Sequence, residues 1–388
     1  METTTKGTPH LAYDVVIVGS GPAGALAAID LARRGIRVCL VEGATHPRYK
    51  ACGGGVLARA AQLLPVDLGP AVDHVCHAVE LRFPDRNLSF RTQRGGPVLY
   101  MTMRSEFDRL LVTEATKCGA VIHEDTQVKG LTIEEDRVVV QTGREQISGR
   151  FVVAADGVDS VVARAGDWPA NHSAIPALEC EVPVAAATHA RFFDTARFDM
   201  DHPRHGYSWV FPKKEHLSVG VLSTRRGSTG LKEAFHLYLR QLAIEPAGPL
   251  QLHGALIPVQ PRHVTLGRGR VLLIGDAAGL ADPITAEGIT HAVLSGKLAA
   301  RALVEGELDV ARVANRYCGL LEENILGELR AANRLAKFFY GHPTLRDLLF
   351  RSHGQRICEK VTDIMMGERR YADFDLSAGF LARHLKPW

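Results

Sequence analysis

The sequence predicts an α/β protein: a Rossmann-like nucleotide-binding domain, an interleaved antiparallel β-sheet domain and a helical C-terminal region. Three observations predict it. An apolar run at 15–18 leads into Gly19-Ser20-Gly21-Pro22-Ala23-Gly24, a small-residue helix, and a second apolar run at 36–41 that ends in Glu42. Two later apolar runs close on Asp156-Gly157 and on Gly275-Asp276-Ala277-Ala278-Gly279. β-rich stretches at 75–103 and 178–265 interrupt these strands twice, which implies two domains built from discontinuous chain.

The first motif carries its own chemistry. Strand, glycine turn, helix, strand and acid form the full context of a dinucleotide fingerprint, whereas GxGxxG alone would be weak. Gly19 permits the tight turn, Gly21 lets backbone approach a pyrophosphate, and Gly24 lets the helix pack closely on the strand. The helix N-terminus offers N–H groups and a positive dipole end to phosphates. Glu42, with Gly43 beside it, can accept hydrogen bonds from a ribose diol.

Bulk properties narrow the function classes. The 388 residues are 46% hydrophobic and 23% charged with net charge +3, and the basic residues are scattered, so no nucleic-acid footprint is present. Seven cysteines without CxxC pairs suggest neither a disulfide framework nor a zinc site, and point to a reducing compartment. The polar N-terminus carries no apolar signal region, and no run of about 18 apolar residues exists to span a bilayer, so a cytoplasmic protein is expected. The histidines do not fall at metal-ligand spacing; His291 alone lies near a motif.

Taken in order, residues 1–10 read as a disordered tail and 56–64 as a helix after Gly53-Gly54-Gly55. Residues 75–103 read as antiparallel strands and 104–117 as a helix, followed by short strands near 120–128 and a polar hairpin at 130–148. Strands return between 178 and 223, an amphipathic helix lies near 230–242, and a small-residue helix at 289–303 follows Pro283. The nucleotide domain thus comprises 1–70, 104–177 and 266–320, the β domain 71–103 and 178–265, and the C-terminal helical region 321–388.

Asp276 follows a buried strand, at the carboxyl edge where α/β folds bind ligands; the plainer reading makes it a helix cap. With this motif on the page the chain resembles the FAD-dependent oxidoreductases of the p-hydroxybenzoate hydroxylase type, through GSGPAG, Ala155-Asp156-Gly157-Val158-Asp159-Ser160 and GDAAGLADPITAEGI. Within them it is most similar to the geranylgeranyl reductase family, through PRYKACGG ending at Gly54, RSEFD from Arg104, YSWVFP from Tyr207 and the tail AANRLAKFFYGHP.

The resemblance implies FAD as cofactor, with Gly19, Gly21, Pro22, Ala23 and Gly24 on its pyrophosphate and Glu42 and Gly43 at the adenosine ribose. Arg48 and Arg104 would meet the phosphates or ribityl chain, Val128 would pair its backbone with adenine, and Asp276 would bind the ribityl or pyrophosphate region. Ala286, Gly288, Ile289, Cys52, Gly53 and Gly54 would lie by the flavin ring. The alternatives for Arg48 and Arg104 are a solvated turn residue and a helix-start surface charge. Two departures stand out: the arginine after the Asp156 motif falls at Arg164, and Ala286 replaces a usual glycine, tolerable unless positive φ is needed.

Cys52 before three glycines carries the reaction type: the resemblance makes its thiol a candidate for proton delivery or substrate positioning, against a small residue filling a tight space. Tyr207, Trp209 and Phe211 alternate, so they share one face of a strand, either a tunnel wall for an isoprenoid chain or an aromatic core stripe. The expected activity is FAD-dependent saturation of carbon–carbon double bonds in an isoprenoid (geranylgeranyl-type) or similar apolar substrate. The alternative is a single-component flavin monooxygenase hydroxylating an aromatic or polyketide-like molecule. The expected electron donor is NAD(P)H or a ferredoxin-like protein. Residues 335–350 are apolar and basic enough for peripheral membrane contact, against the reading of helices packed over the substrate-binding β domain.

Overall fold

A computed structural model describes residues 10–373. The expected N-terminal tail lies outside these residues except for His10, which already belongs to the first strand, His10–Val18. That strand sits at the centre of an eight-stranded sheet, parallel on one side to Gln146–Ala154 and on the other to Val38–Val41. Val271–Leu273 and Val121–His123 extend the parallel set outward. Parallel strands covered on both faces need near-continuous apolar sequence, and Val15, Val16, Ile17, Val38, Cys39, Leu40, Phe151, Val152 and Leu272 are all sealed from solvent.

The helices Pro22–Ala32 and Ile289–Glu305 pack closely on each other, because Gly296 leaves room for the Ala23 carbonyl. The strand expected to begin at Phe151 starts at Gln146, since the hairpin strand Val138–Thr142 pairs antiparallel with its first half. The helix Arg104–Lys117 runs as the periodicity predicts.

A seven-stranded sheet, in chain positions 253–258, 174–183, 216–223, 206–212, 195–200, 78–83 and 88–93, forms the second layer. It is antiparallel except where Thr195–Met200 runs parallel to Ala78–Phe83, a long-range pairing that local pattern does not encode. Residues 56–64 are not one helix. Val56 and Leu57 pair with Tyr100 and Leu99 in a small three-stranded sheet, and only Ala58–Ala61 is helical. Their apolar side chains are better buried in that sheet than on a free helix.

The C-terminal helices Gly327–Gly341 and Pro343–Met366 pack over the β layer, where Phe350 meets Phe83 and Phe90 at ring distances of 4.6 and 5.8 Å. Residues 335–350 therefore follow the packed-helix reading, although Leu345 and Leu348 stay exposed. Residues 374–388 of the helical region lie outside the described residues.

Candidate functional site

A cavity of about 580 Å³ runs from the carboxyl ends of the parallel strands to the inner face of the seven-stranded sheet. At its first end the helix Pro22–Ala32 starts at Gly21, and no side chain caps it. A Cβ built on Gly21 would meet nothing nearer than the guanidinium groups of Arg48 and Arg104, each 4.0 Å away. An open space between a helix N-terminus and two cations suits a pyrophosphate. Gly19, Pro22, Ala23 and Gly43 line the same end. Gly24 does not line it; a side chain there would strike the Gly19 carbonyl, so its role is the close packing of helix on turn.

Both arginines are held in place. Arg104 donates to both oxygens of Asp108 at 2.9 and 3.0 Å, and Arg48 meets Asp108 at 3.1 Å and Glu42 at 3.3 Å. Asp108 is fully buried. Arg48 is thus no solvated turn residue, and Arg104 no surface charge. Burial alone would lower the Arg104 pKa, but Asp108 and the Cys52 thiol hold it above its ordinary value. Glu42 accepts from the Ser20 amide at 3.1 Å and hydroxyl at 2.6 Å. Burial would raise its carboxyl, yet Arg48 and Ser20 keep it lowered, so a charged acceptor faces the cavity.

Val128, opposite Thr142 at a bulge in the hairpin, lines the cavity near Glu42. Asp276 lines the opposite wall and makes no cap bond to its own short helix, which removes the plainer reading. Burial raises its pKa, with Lys50 and Arg104 opposing. Ala286, Gly288 and Ile289 follow on the next turn. Ala286 has φ of 54°, so the condition set by the sequence reading is met: this position takes the left-handed region that favours glycine.

At the other end Cys52, Gly53 and Gly54 face the aromatics. The Gly54 amide donates to the Cys52 sulfur at 3.3 Å. Gly54 has φ of 69°, and a side chain there would strike the Thr102 carbonyl and the buried Lys213 ammonium. Lys213 donates to that same carbonyl, and its pKa is lowered by burial against the pull of Glu181 and Cys52. Tyr207, Trp209 and Phe211 sit on one face of Gly206–Pro212, their neighbouring rings 6.2 and 6.3 Å apart, and all three line the cavity. Leu57, Leu99, Phe198, Leu222 and Ile257 complete an apolar wall. Tyr207 donates to the Thr285 carbonyl, tying this wall to the Ala286 turn.

Sequence reasoning missed Asp108, Tyr49, Glu179 and Lys213. Asp108 was legible as the i+4 partner of Arg104 within RSEFD. Glu179 had no local signal, since an acid in an alternating strand ordinarily faces water. His291 is buried and does not line the cavity. Among the described residues no group of three or more His, Cys, Asp or Glu could hold a metal ion, and no helix is long and apolar enough to cross a membrane.

Comparison with known proteins identifies the family. Residues 12–306 match the FAD binding domain family. The chain is 30% identical over 355 residues to digeranylgeranylglycerophospholipid reductase 1 of Methanopyrus kandleri, covering 84% of this chain and 90% of that one. It is 31% identical over 302 residues to geranylgeranyl diphosphate reductase of Rhodobacter capsulatus, covering 75% and 74%. Among solved structures, a geranylgeranyl bacteriochlorophyll reductase-like protein of Thermoplasma acidophilum superposes with TM-score 0.76 at 23% identity, covering 97% and 96%. A flavin-dependent brominase superposes at 0.71 and 19%, covering 96% and 98%, so the fold alone is shared with halogenases.

Proposed function

Because the chain belongs to the FAD-binding oxidoreductases of the geranylgeranyl reductase family, we propose that it saturates carbon–carbon double bonds in an isoprenoid chain of geranylgeranyl type. One observation carries the reading: a phosphate-binding cradle opens directly into an aromatic and aliphatic wall, with Cys52 at the join. The relatives named above act on geranylgeranyl groups by their names, and an isoprenoid offers such a wall carbon surface and few hydrogen bonds.

FAD, when bound and reduced, supplies the hydride. Gly21 and the first turn of its helix, with Arg48 and Arg104, would bind the pyrophosphate; Glu42 would take the ribose, with Gly43 beside it; Val128 would border the adenine and Asp276 the ribityl chain. Ala286, Gly288 and Ile289 would border the ring. Tyr207, Trp209 and Phe211 align the alkene and exclude water, which matters because an isolated double bond is weakly polarised and positioning must do much of the catalysis. Cys52 donates the proton to the second alkene carbon.

The test is anaerobic reduction of the holoprotein followed by a geranylgeranyl lipid. Reoxidation by the alkene supports the reductase. Reoxidation that waits for oxygen supports the monooxygenase instead. Cys52→Ala should keep its yellow cofactor and lose alkene reduction; wild-type turnover by that variant removes the thiol from the mechanism. The donor we expect is NAD(P)H or a ferredoxin-like protein, told apart by which one bleaches the bound flavin. Any membrane contact falls to Leu345 and Leu348, and liposome sedimentation that leaves all protein in the supernatant removes it.

A further inference from the structure

A second, smaller cleft opens beside the cavity, lined by Glu181, Glu215, His216 and Gln251. Tyr49 and His253 line both spaces. Glu179 lines the cavity, on the same strand face as Glu181 and opposite His253 in the neighbouring strand. Glu179 is 3% exposed; its Oε1 accepts the Tyr49 hydroxyl at 2.5 Å, while its Oε2 is buried with no partner. The Cys52 backbone amide also points to this carboxyl. A buried carboxylate with an idle oxygen is costly unless protonated. A row of titratable groups therefore leads from the open cleft, through the His216–Glu181 pair at 3.0 Å, to the turn that carries Cys52.

We propose that Glu179 is the proton reservoir of this cavity, restoring the Cys52 thiol after each alkene has been reduced. The inference rests on the reductase reading. In each turnover the alkene takes a hydride at one carbon and the Cys52 S–H proton at the other. The O–H bond of Glu179 then breaks as the S–H bond re-forms, and the carboxylate regains a proton from water by way of the cleft. Glu179 acts through Cys52 and is a positioning and relay residue. The groups facing it are Tyr49, Cys52, Glu181, Lys213 and His253. Burial, reinforced by Glu181 and opposed by Tyr49, pushes its carboxyl up to about 7, so the protonated and charged forms are both populated near neutral pH.

Two measurements test this on the FAD-loaded protein. Without substrate, infrared difference spectra across pH should show a protonated-carboxyl band that titrates near neutrality and is absent from Glu179→Gln. With geranylgeranyl diphosphate, single-turnover alkene reduction should proceed normally in Glu179→Gln. Successive turnovers should slow about tenfold or more, and the fall in wild-type rate above pH 7 should disappear. Tyr49→Phe should keep the band and shift it. A band that survives in Glu179→Gln, or a wild-type pH profile in that variant, overturns the reservoir alone. Wild-type protein that reduces no alkene overturns the reductase reading and this inference with it.

Discussion

Gly220 lies directly opposite Trp209 on the neighbouring strand, and any side chain at 220 would occupy the space of the indole ring. The ring reaches the cavity only because the sheet is bare at that point. Gly53 clears the other side, where a Cβ would sit 2.9 Å from the indole nitrogen. Gly220→Ala should therefore push Trp209 across the cavity, costing about 1–3 kcal/mol of stability. Denaturant unfolding checks the cost. Unchanged stability together with unchanged tryptophan fluorescence would show that the indole does not need this gap.

Asp108 carries both arginines beside the glycine turn, and it is fully buried. Asp108→Asn keeps the shape and removes the charge, leaving two buried guanidiniums short of a counter-ion. Breaking such a network costs roughly 3–5 kcal/mol when the remaining charge stays buried. The variant should purify with less flavin than wild type and unfold earlier, as read from the absorbance ratio and denaturant midpoint. Full flavin occupancy would mean that Arg48 and Arg104 hold their places without it.

Ala286 carries the strain of its φ of 54°. An L-residue in the left-handed region costs about 1–2 kcal/mol, part of which glycine returns as unfolded-chain entropy. Ala286→Gly should stabilise the protein by up to about 1 kcal/mol, seen as a rise in Tm. A fall in Tm would show that the methyl group packs well enough to offset the strain.

Glu179 links stability to pH. Its carboxyl stands at about 7 in the fold, against 4.5 ordinarily, chiefly through burial. A group raised on folding contributes its full stability below the unfolded value and loses it as pH climbs through the folded one. The wild-type chain should therefore lose roughly 2–3 kcal/mol relative to Glu179→Gln between pH 4.5 and 8. Denaturant titrations of both proteins at the two pH values measure this, and an equal gap at both would refute it.

The nucleotide half was readable because its information is local. Gly19 to Gly24 and Glu42 are fixed by spacing along one strand-turn-helix-strand unit, and GDAAG repeats that logic at a later strand end. Cys52 and the Tyr207-Trp209-Phe211 alternation were legible for the same reason. What escaped depends on register between distant strands. Gly220 acquires meaning only when set against Trp209, and Glu179 only when the sheet covers it and Tyr49 reaches it across the chain. The parallel pairing of Thr195–Met200 with Ala78–Phe83 belongs to the same class. Val56 and Leu57 misled because short apolar runs suit helix and strand alike until a partner strand arrives.

The paired anchoring of Arg48 and Arg104 sets the charge balance beside the glycine turn. Two guanidiniums share Asp108 and Glu42 there, so local charge is close to even and the arginine side chains are held by the fold itself. Selectivity at that end of the cavity then comes from the direction of fixed donors more than from a surplus of positive charge.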